Sequence, residues 1–584
     1  MHGWHGKILR IDLSSRSTSV IEPDEAVYHT WIGGKGLAGH FLADAVTLPP
    51  DHPSMPLLLC TGPLVGTTSP TSGRMTIMSR SPLTGTIGDS SVGGNLGTAI
   101  KQAGWDGIIV VGRADGLCGI EVDDRECRVT DAEPLRGLPT HVARERLKDR
   151  GSVVVVGPAA ENGVAFASIM VDRHFAAARN GLGLVLGAKN LKYITVKGSG
   201  RTAVHDPDEL KRAREDIFRL TAASPILLGE LGITNFGTGA LYDLISTRRM
   251  MPTGNFRRTH FEHAREMNAY AYKTRYGTRK EGCRGCHVLC KKATSDGRAV
   301  PEFETMSHFS ALIDNDDMDT VVRANELCNE LGMDTITAAS SIACYQEIEG
   351  THLRPGDVLA LLEDIGHARG AGAELARGSA AYAASRGRPE LSMSVKGQEL
   401  PAYDPRGAYG MALGYAVSTR GGCHLRAYPI SHEILRKPVA TDRFSFDGKA
   451  RIVKIAEDMN AVVDSLTACK FIFFGASLEE YARAYTAVTG VPSSAQELLR
   501  AGERIYYHER MMNARNGFDA THDDLPRRFF EEDGSDGEGI HVGRLERDAF
   551  LRARANYYKV RGLDDNGCPT PEKAAELGLE WKTC

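Results

Sequence analysis

The stretch Gly282–Cys290, GCRGCHVLC, sets Cys283, Cys286 and Cys290 in a C-x2-C-x3-C spacing. That spacing lets three thiolates wrap one inorganic centre from a single loop or helix start. An iron-sulfur cubane and a structural zinc ion both take four ligands, so another residue must complete the set. Cys469, in DSLTACKFIFF, is one candidate, and His287, inside the run itself, is the rival. A second C-x2-C pair of the kind that completes zinc sites is missing, so the spacing favours a cluster over zinc, with three unrelated buried cysteines as the bland alternative. Spacing alone does not choose among electron transfer, substrate binding and structural support. The order is also the reverse of the C-x3-C-x2-C usual in radical SAM enzymes.

The other nine cysteines, Cys60, Cys118, Cys127, Cys328, Cys344, Cys423, Cys469, Cys568 and Cys584, are scattered singly. Twelve in 584 residues are too sparse for a disulfide scaffold. A chain of this length, 42% hydrophobic and 25% charged, is ordinary globular material, long enough for roughly three to five domain-sized units. No apolar run approaches the ~20 residues that would span a bilayer. The start MHGWHGKILRIDL lacks the order of a signal peptide, so a cytoplasmic location is expected. Seventy basic and seventy-four acidic residues, well mixed, predict no broad cationic face for nucleic acid or anionic lipid, and small molecules are the expected partners.

Upstream of the cysteine run, the first 200 residues read as β-rich. Leu9, Ile11 and Leu13 alternate with polar residues and SSRS follows as a turn, which predicts an opening hairpin. Apolar runs at Met55–Cys60, Met75–Met78, Ile108–Val111, Val153–Val156 and Tyr193–Val196 are bounded by Gly, Pro or Ser. Glycine clusters in GPLVGTTSPTSGR, SPLTGTIGDSSVGGNLG and ARNGLGLVLGAKN, where backbone amides can approach a bound group closely. At Asp206 and Pro207, a cap and first-turn pair, the texture changes to helix. Apolar residues at three and four spacing run through 321–345, 355–386 and 477–518, with a break over 401–422 and a solvated loop expected over 531–539.

Several long blocks then stand in one order: SGRMTIMSRSPLTGT, GLGLVLGAKNLKYITVKG, GCRGCHVLC, DSLTACKF and YYKVRGLDDNGCPTPEK. Together, from Gly6 to about Leu579, the chain resembles the tungsten-dependent aldehyde ferredoxin oxidoreductase family. The resemblance implies an α+β fold: an N-terminal domain of two β-sheets, residues 1–203, forming the base for a bis-pterin cofactor, then two mainly α-helical domains, residues 204–404 and 405–584. It also implies that Cys283, Cys286, Cys290 and Cys469 hold a four-iron four-sulfur cluster beside the metal pterin, so the fourth ligand becomes Cys469 rather than His287.

The family's pterin pattern, an acidic residue, two variable residues, Gly, Leu, then Asp or Cys, matches NELGMD from Asn329 to Asp334 and DSLTAC from Asp464 to Cys469. Asn329 stands for the usual Asp, and Thr467 and Ala468 stand for Gly and Leu. The resemblance also puts Arg74, the turn Ser91 to Gly94 with Gly93, and the loop Arg179, Asn180, Gly181 and Gly183 near the pterin phosphates, with magnesium between the phosphate groups. An arginine fork and closely approaching amides suit a phosphate, although the glycines alone would read as tight turns. Ser91 stands where the family often has Asn; a role for its backbone carbonyl would survive that change.

An aldehyde oxidation needs an oxygen nucleophile, an electron acceptor and a base. The resemblance supplies Glu304, in PEFET, as a base near the metal in preference to Glu302, and His424, in STRGGCHLRAYP, as the active-site histidine. On residue type alone, an isolated Glu is a surface or capping residue and a lone His is structural or solvated. Tyr403, in PAYDPRG, is a candidate hydrogen-bond donor or a packed aromatic, while Trp31, Gly33 and Gly34 are read as structural. The expected function is oxidation of an aldehyde to a carboxylic acid on tungsten, with molybdenum as the other metal the ligands would accept, and electrons passing to a ferredoxin or an iron-sulfur subunit. The alternatives are a relative acting on another low-potential substrate, by acid or aromatic ring reduction, and a cluster-only electron-transfer protein. The E-x2-H pair that holds a dimer metal in some members is missing around Arg323, so any homodimer is expected to be metal-free.

Overall fold

The computed structural model describes residues 1–581, so Cys584 lies outside the described residues. Twelve strands build two sheets of six in the first 196 residues. The first contains β1 (Ile8–Asp12), β2 (Ser17–Ile21), β3 (Leu57–Cys60), β4 (Met75–Arg80), β5 (Ile87–Val92) and β6 (Gly107–Val111), in the order β2-β1-β6-β3-β4-β5. The second contains β7 (Cys118–Val122), β8 (Cys127–Asp131), β9 (Ser152–Val156), β10 (Ile169–Val171), β11 (Phe175–Ala177) and β12 (Leu191–Val196), in the order β11-β10-β9-β12-β7-β8. Each sheet has a single parallel pair, β1 with β6 and β7 with β12; its other pairs are antiparallel. The opening hairpin is β1 against β2, as the alternation predicts.

Successive side chains of a strand point to opposite faces, and both faces of the first sheet are covered. Leu57 and Leu59 of β3 pack in one core with Ile120, Val154 and Ile194 of the second sheet. Leu58 and Cys60 pack on the other side with Leu37, Val463, Leu466 and Tyr485 from helices. Two-sided burial explains why LLLC and IIVV read as unbroken apolar runs. The predicted runs account for β3, β4, β6, β9 and β12. They miss β5, IGDSSV, whose middle is polar although nearly every residue is buried.

Helices predominate in the rest of the chain. Asp206 accepts from the Glu209 amide and starts the helix Pro207–Ala222, as expected. The pattern over 321–345 is not one helix: Met318–Leu331 stops at Gly332, which has φ 75°, and Asp334 caps Thr335–Glu349 through the Ile336 and Thr337 amides. A Cβ on Gly332 would lie 2.9 Å from the Gly157 nitrogen, so glycine there serves both the left-handed turn and a close backbone approach. The expected break over 401–422 holds a short buried helix, Tyr409–Val417. A small antiparallel hairpin, β13 (Arg279–Glu281) and β14 (Lys291–Ala293), carries the cysteine run as its loop. Among the described residues, no single helix is long and apolar enough to cross a membrane.

Candidate active site

A cavity of about 1020 Å³ lies where the end of the first sheet meets the helices and the cysteine hairpin. Arg74, just before β4, and Ser91 and Gly93, at the end of β5, line it from the sheet, Cys283 and Cys290 from the hairpin, and Asp464 and Cys469 from the end of the helix Lys449–Leu466 and the turn after it. Glu304, Asp334, Tyr403 and His424 line it too.

The four cysteines share one electrostatic neighbourhood. Cys283 and Cys286 both bear on Cys469, and Cys469 and Cys283 both bear on Cys290. Burial pushes the Cys469 thiol up to about 11 and the Cys290 and Cys286 thiols upward as well, so the thiolate forms need a bound cation to stabilise them. The Arg74 guanidinium faces Cys469, Cys283 and Cys290. A Cβ on Gly93 would sit 2.4 Å from the Cys283 sulfur, so this glycine admits the cysteine loop to the sheet end. Among the described residues, no three His, Cys, Asp or Glu side chains converge tightly enough for a single ion. Four thiols gathered at one cavity match the ligand number of an iron-sulfur cubane. His287, the rival fourth ligand, has its Nε2 2.8 Å from Thr221 Oγ1 and its ring edge-on to Phe218 at 4.5 Å.

The rest of the cavity sets cations and acids side by side. Arg74 donates to Ser91 Oγ at 3.0 Å and to the Ser91 carbonyl at 2.6 Å, so Ser91 acts mainly through a group that any residue would supply. Arg179 lines the cavity, donating to the Glu399 carbonyl at 2.6 Å while its Nε stands 3.3 Å from Asp334 Oδ2. Lys470 Nζ pairs with Asp464 at 2.8 Å. Buried atoms left without hydrogen-bond partners gather here: Arg179 Nε, Asp464 Oδ1, Glu304 Oε1 and His424 Nδ1. Such orphaned groups, acceptors as well as donors, fit a bulky polar ligand such as a pterin ring, with Arg74 and Arg179 at hand for its phosphates.

Five residues expected at the cofactor stand outside the cavity lining. Asn180 donates to Gln398 Oε1 at 2.6 Å and to the Arg420 carbonyl at 3.0 Å, bracing the loop behind Arg420. Gly181 and Gly183 press on backbone, because a Cβ would lie 1.9 Å from the Ala165 oxygen and 2.6 Å from the Ser168 oxygen respectively. Gly94 precedes Asn95, whose amide is tied to Asp172 at 2.7 Å. Asn329 is half-buried on its helix, and its carbonyl accepts from Thr140 Oγ1 at 2.7 Å. In both pterin-like segments, then, one carboxylate reaches the cavity, Asp334 in the first and Asp464 in the second.

Glu304 enters on the first turn of the helix Phe303–Phe309, while Glu302, its cap, pairs with Lys291 at 2.9 Å. Glu304 Oε2 accepts from the Ala402 amide at 2.7 Å, and Oε1 stands 3.4 Å from His424 Nε2. Burial pushes the Glu304 carboxyl up to about 8, against the Ala402 amide and Arg179. Burial, Arg179 and Arg420 hold His424 well below the ordinary histidine range. At neutral pH the pair therefore holds one proton, on Glu304, with imidazole neutral. Tyr403 Oη is 3.1 Å from Tyr428 Oη, and burial keeps both phenols protonated.

Tyr428 escaped the sequence reading, and so did the ionic floor beside it. The buried Asp89 carboxylate takes Lys35 at 3.2 Å and both Arg426 nitrogens, and Glu509 pairs with Lys35 and accepts from Thr419 at 2.7 Å. Cys423 accepts from Arg420 Nε at 3.1 Å and Nη2 at 3.0 Å; burial raises its thiol, but Arg420, Arg426 and Arg179 outweigh that and bring it down to about 7. Arg420, Cys423 and Arg426 share the STRGGCHLRAYP block with His424, and that block was the available signal.

Four gathered thiols beside a cavity that holds a buried acid and imidazole define a cofactor-dependent redox protein. Residues 8–198 match the family described as aldehyde ferredoxin oxidoreductase, N-terminal domain, and residues 212–579 match aldehyde ferredoxin oxidoreductase, domains 2 & 3. The chain is 35% identical over 608 residues to the tungsten-containing aldehyde ferredoxin oxidoreductase of Pyrococcus furiosus and, at the same identity and length, to that of Thermococcus kodakarensis, covering 99% of each protein in both cases. It is 26% identical to the aliphatic sulfonate oxidoreductase, WOR-like subunit, of Pyrococcus furiosus, over 99% of this chain and 97% of that one. A solved structure, the active site complex BamBC of benzoyl coenzyme A reductase with 1,5-dienoyl-CoA, has the same fold at TM-score 0.83 and 22% identity, covering 99% of this chain and 97% of that one. The chain belongs to the aldehyde ferredoxin oxidoreductase family.

Proposed function

We propose that the protein oxidises an aldehyde to a carboxylic acid and passes the electrons to a ferredoxin or an iron-sulfur partner. The observation that carries the reading is Glu304 buried 3.4 Å from His424 in the cavity that Cys283, Cys290 and Cys469 also line. In this reading Cys283, Cys286, Cys290 and Cys469 hold a four-iron four-sulfur cluster. Arg74, Arg179, Asp334 and Asp464 hold a bis-pterin with magnesium at its phosphates. The tungsten, or molybdenum, of that pterin would supply the sink for the two electrons released as aldehyde and water become acid and two protons, and a cluster on the four cysteines would supply one-electron redox chemistry beside it. Residues 1–203 are the base of this site, and 204–404 and 405–584 close over it.

The chain's own residues bind the aldehyde and handle its protons. Tyr403 donates to the carbonyl oxygen, and His424 steadies the same oxygen as water adds to the carbon. Glu304, once ionised, takes the proton of that water at Oε1, which makes no hydrogen bond within the protein. Glu304→Gln keeps the size of the side chain and removes its basicity. The variant should retain tungsten and iron while losing roughly 10²- to 10⁴-fold in aldehyde-dependent viologen reduction. Full turnover by a fully loaded variant contradicts the base assignment.

A further inference from the structure

We propose that the β13–β14 hairpin and its flanks are the docking surface for a small acidic electron-carrier protein. The proposal rests on the cluster reading, because it names where electrons would leave. The loop that bears three of the thiols reaches solvent at Arg284 and Gly285. From Lys273 to Arg298 the chain carries eight Lys or Arg against two acids, Glu281 and Asp296, on a chain whose net charge is -4. Lys292 is buried and Arg275, Arg279, Lys291 and Arg298 are ion-paired, so the charge that faces solvent comes chiefly from Lys273, Lys280 and Arg284. Across the hairpin Lys280 stands directly opposite Lys292. Like charges facing across a strand pair destabilise it, so the stability of the hairpin does not account for Lys280. Arg173, from the turn between β10 and β11, joins the same surface by donating to the Gly297 carbonyl at 2.9 Å.

The charge flanks apolar anchors. Leu231 is 76% exposed and Tyr270 66%, the two most exposed large apolar side chains described. The Leu231 segment is tied to the hairpin, since Lys292 donates to the Ile233 carbonyl at 3.4 Å. Tyr270 sits 6.2 Å from the Phe236 ring, over which Lys273 lies at 4.8 Å. Exposed apolar anchors with a charged rim are the anatomy of a transient protein interface. An acidic carrier would be repelled by the chain as a whole and drawn to this one face, which is how electrostatics orients a docking encounter.

The test uses the full chain, purified anaerobically with its metals, and a labelled small acidic four-iron ferredoxin whose binding is read by fluorescence anisotropy across ionic strength. The triple variant Lys273→Glu, Arg279→Glu, Lys280→Glu should bind at least about tenfold more weakly at low salt, with the difference shrinking as salt screens it. Leu231→Ser should weaken binding at every salt concentration without changing the salt slope. Both variants should match the wild type in iron content, in melting temperature and in aldehyde-dependent viologen reduction, because the substituted side chains are exposed. Equal ferredoxin binding by the wild type and the triple variant at all salt concentrations overturns the proposal. So does a short DNA duplex that binds the wild type as tightly as the ferredoxin, which would make the patch a nucleic-acid surface. A wild type that binds ferredoxin in this salt-dependent way but turns over no aldehyde supports the docking surface and strikes only the proposed substrate.

Discussion

Glu304 shows how one burial decision sets both chemistry and stability. Its carboxyl is pushed up to about 8 by burial, whereas a carboxyl of the unfolded chain titrates near 4.5. As a base it must first lose that proton, so turnover limited by this step should rise with pH through about 8, and the limb should vanish in Glu304→Gln. The stability consequence has the opposite sign. Between about 4.5 and 8 the native state keeps a proton that the unfolded chain has lost, so the native state is progressively destabilised as pH rises through that window. Metal-free Glu304→Gln protein should therefore melt higher than the metal-free wild type at pH 8 and no higher at pH 4, and a scan at the two pH values checks this. Equal melting temperatures at pH 8 would mean that Glu304 is not held protonated. Glu304 and His424 were legible because each sits in a recognisable block. Asp89, Lys35, Arg426 and Glu509 were not, because each is an ordinary charged residue until four distant segments meet in one buried network.

At the scale of elements, the turns aim the site. Gly332 ends one helix in a left-handed turn, and Asp334 two residues later caps the next while facing Arg179 at 3.3 Å. Gly332→Ala should cost roughly 1 to 3 kcal/mol, from positive φ and from a Cβ 2.9 Å from the Gly157 nitrogen, and should lower pterin content along with Tm. Metal and pterin assays beside a denaturation curve read both effects, and unchanged values in both would show that the turn does not position the site. The helix Lys449–Leu466 ends in the same way at Thr467, φ 56°, where the family pattern has glycine. Thr467 holds that turn with its hydroxyl, which accepts from the Gly62 amide at 3.1 Å and donates to the Leu466 carbonyl at 2.7 Å. Helical periodicity passes straight through a glycine turn, which is why 321–345 read as one segment. A polar strand such as β5 has no apolar alternation to betray it, because its buried carboxylate is satisfied by residues far away in sequence.

Over the whole molecule, the double sheet, the helical remainder and the cysteine run were legible, since strand alternation, an N-cap at Asp206 and thiol spacing are local signals. That Gly94, Asn180, Gly181, Gly183 and Asn329 stand outside the cavity lining was not, because facing a cavity depends on what packs behind a loop. The central claim is that one chain holds a metal pterin and a four-iron cluster side by side. Elemental analysis of anaerobically purified protein, from a host supplied with tungstate and molybdate, tests it most directly. The account predicts about one tungsten, or one molybdenum, and about four irons per chain. Four irons with neither heavy metal, or zinc alone, would contradict it.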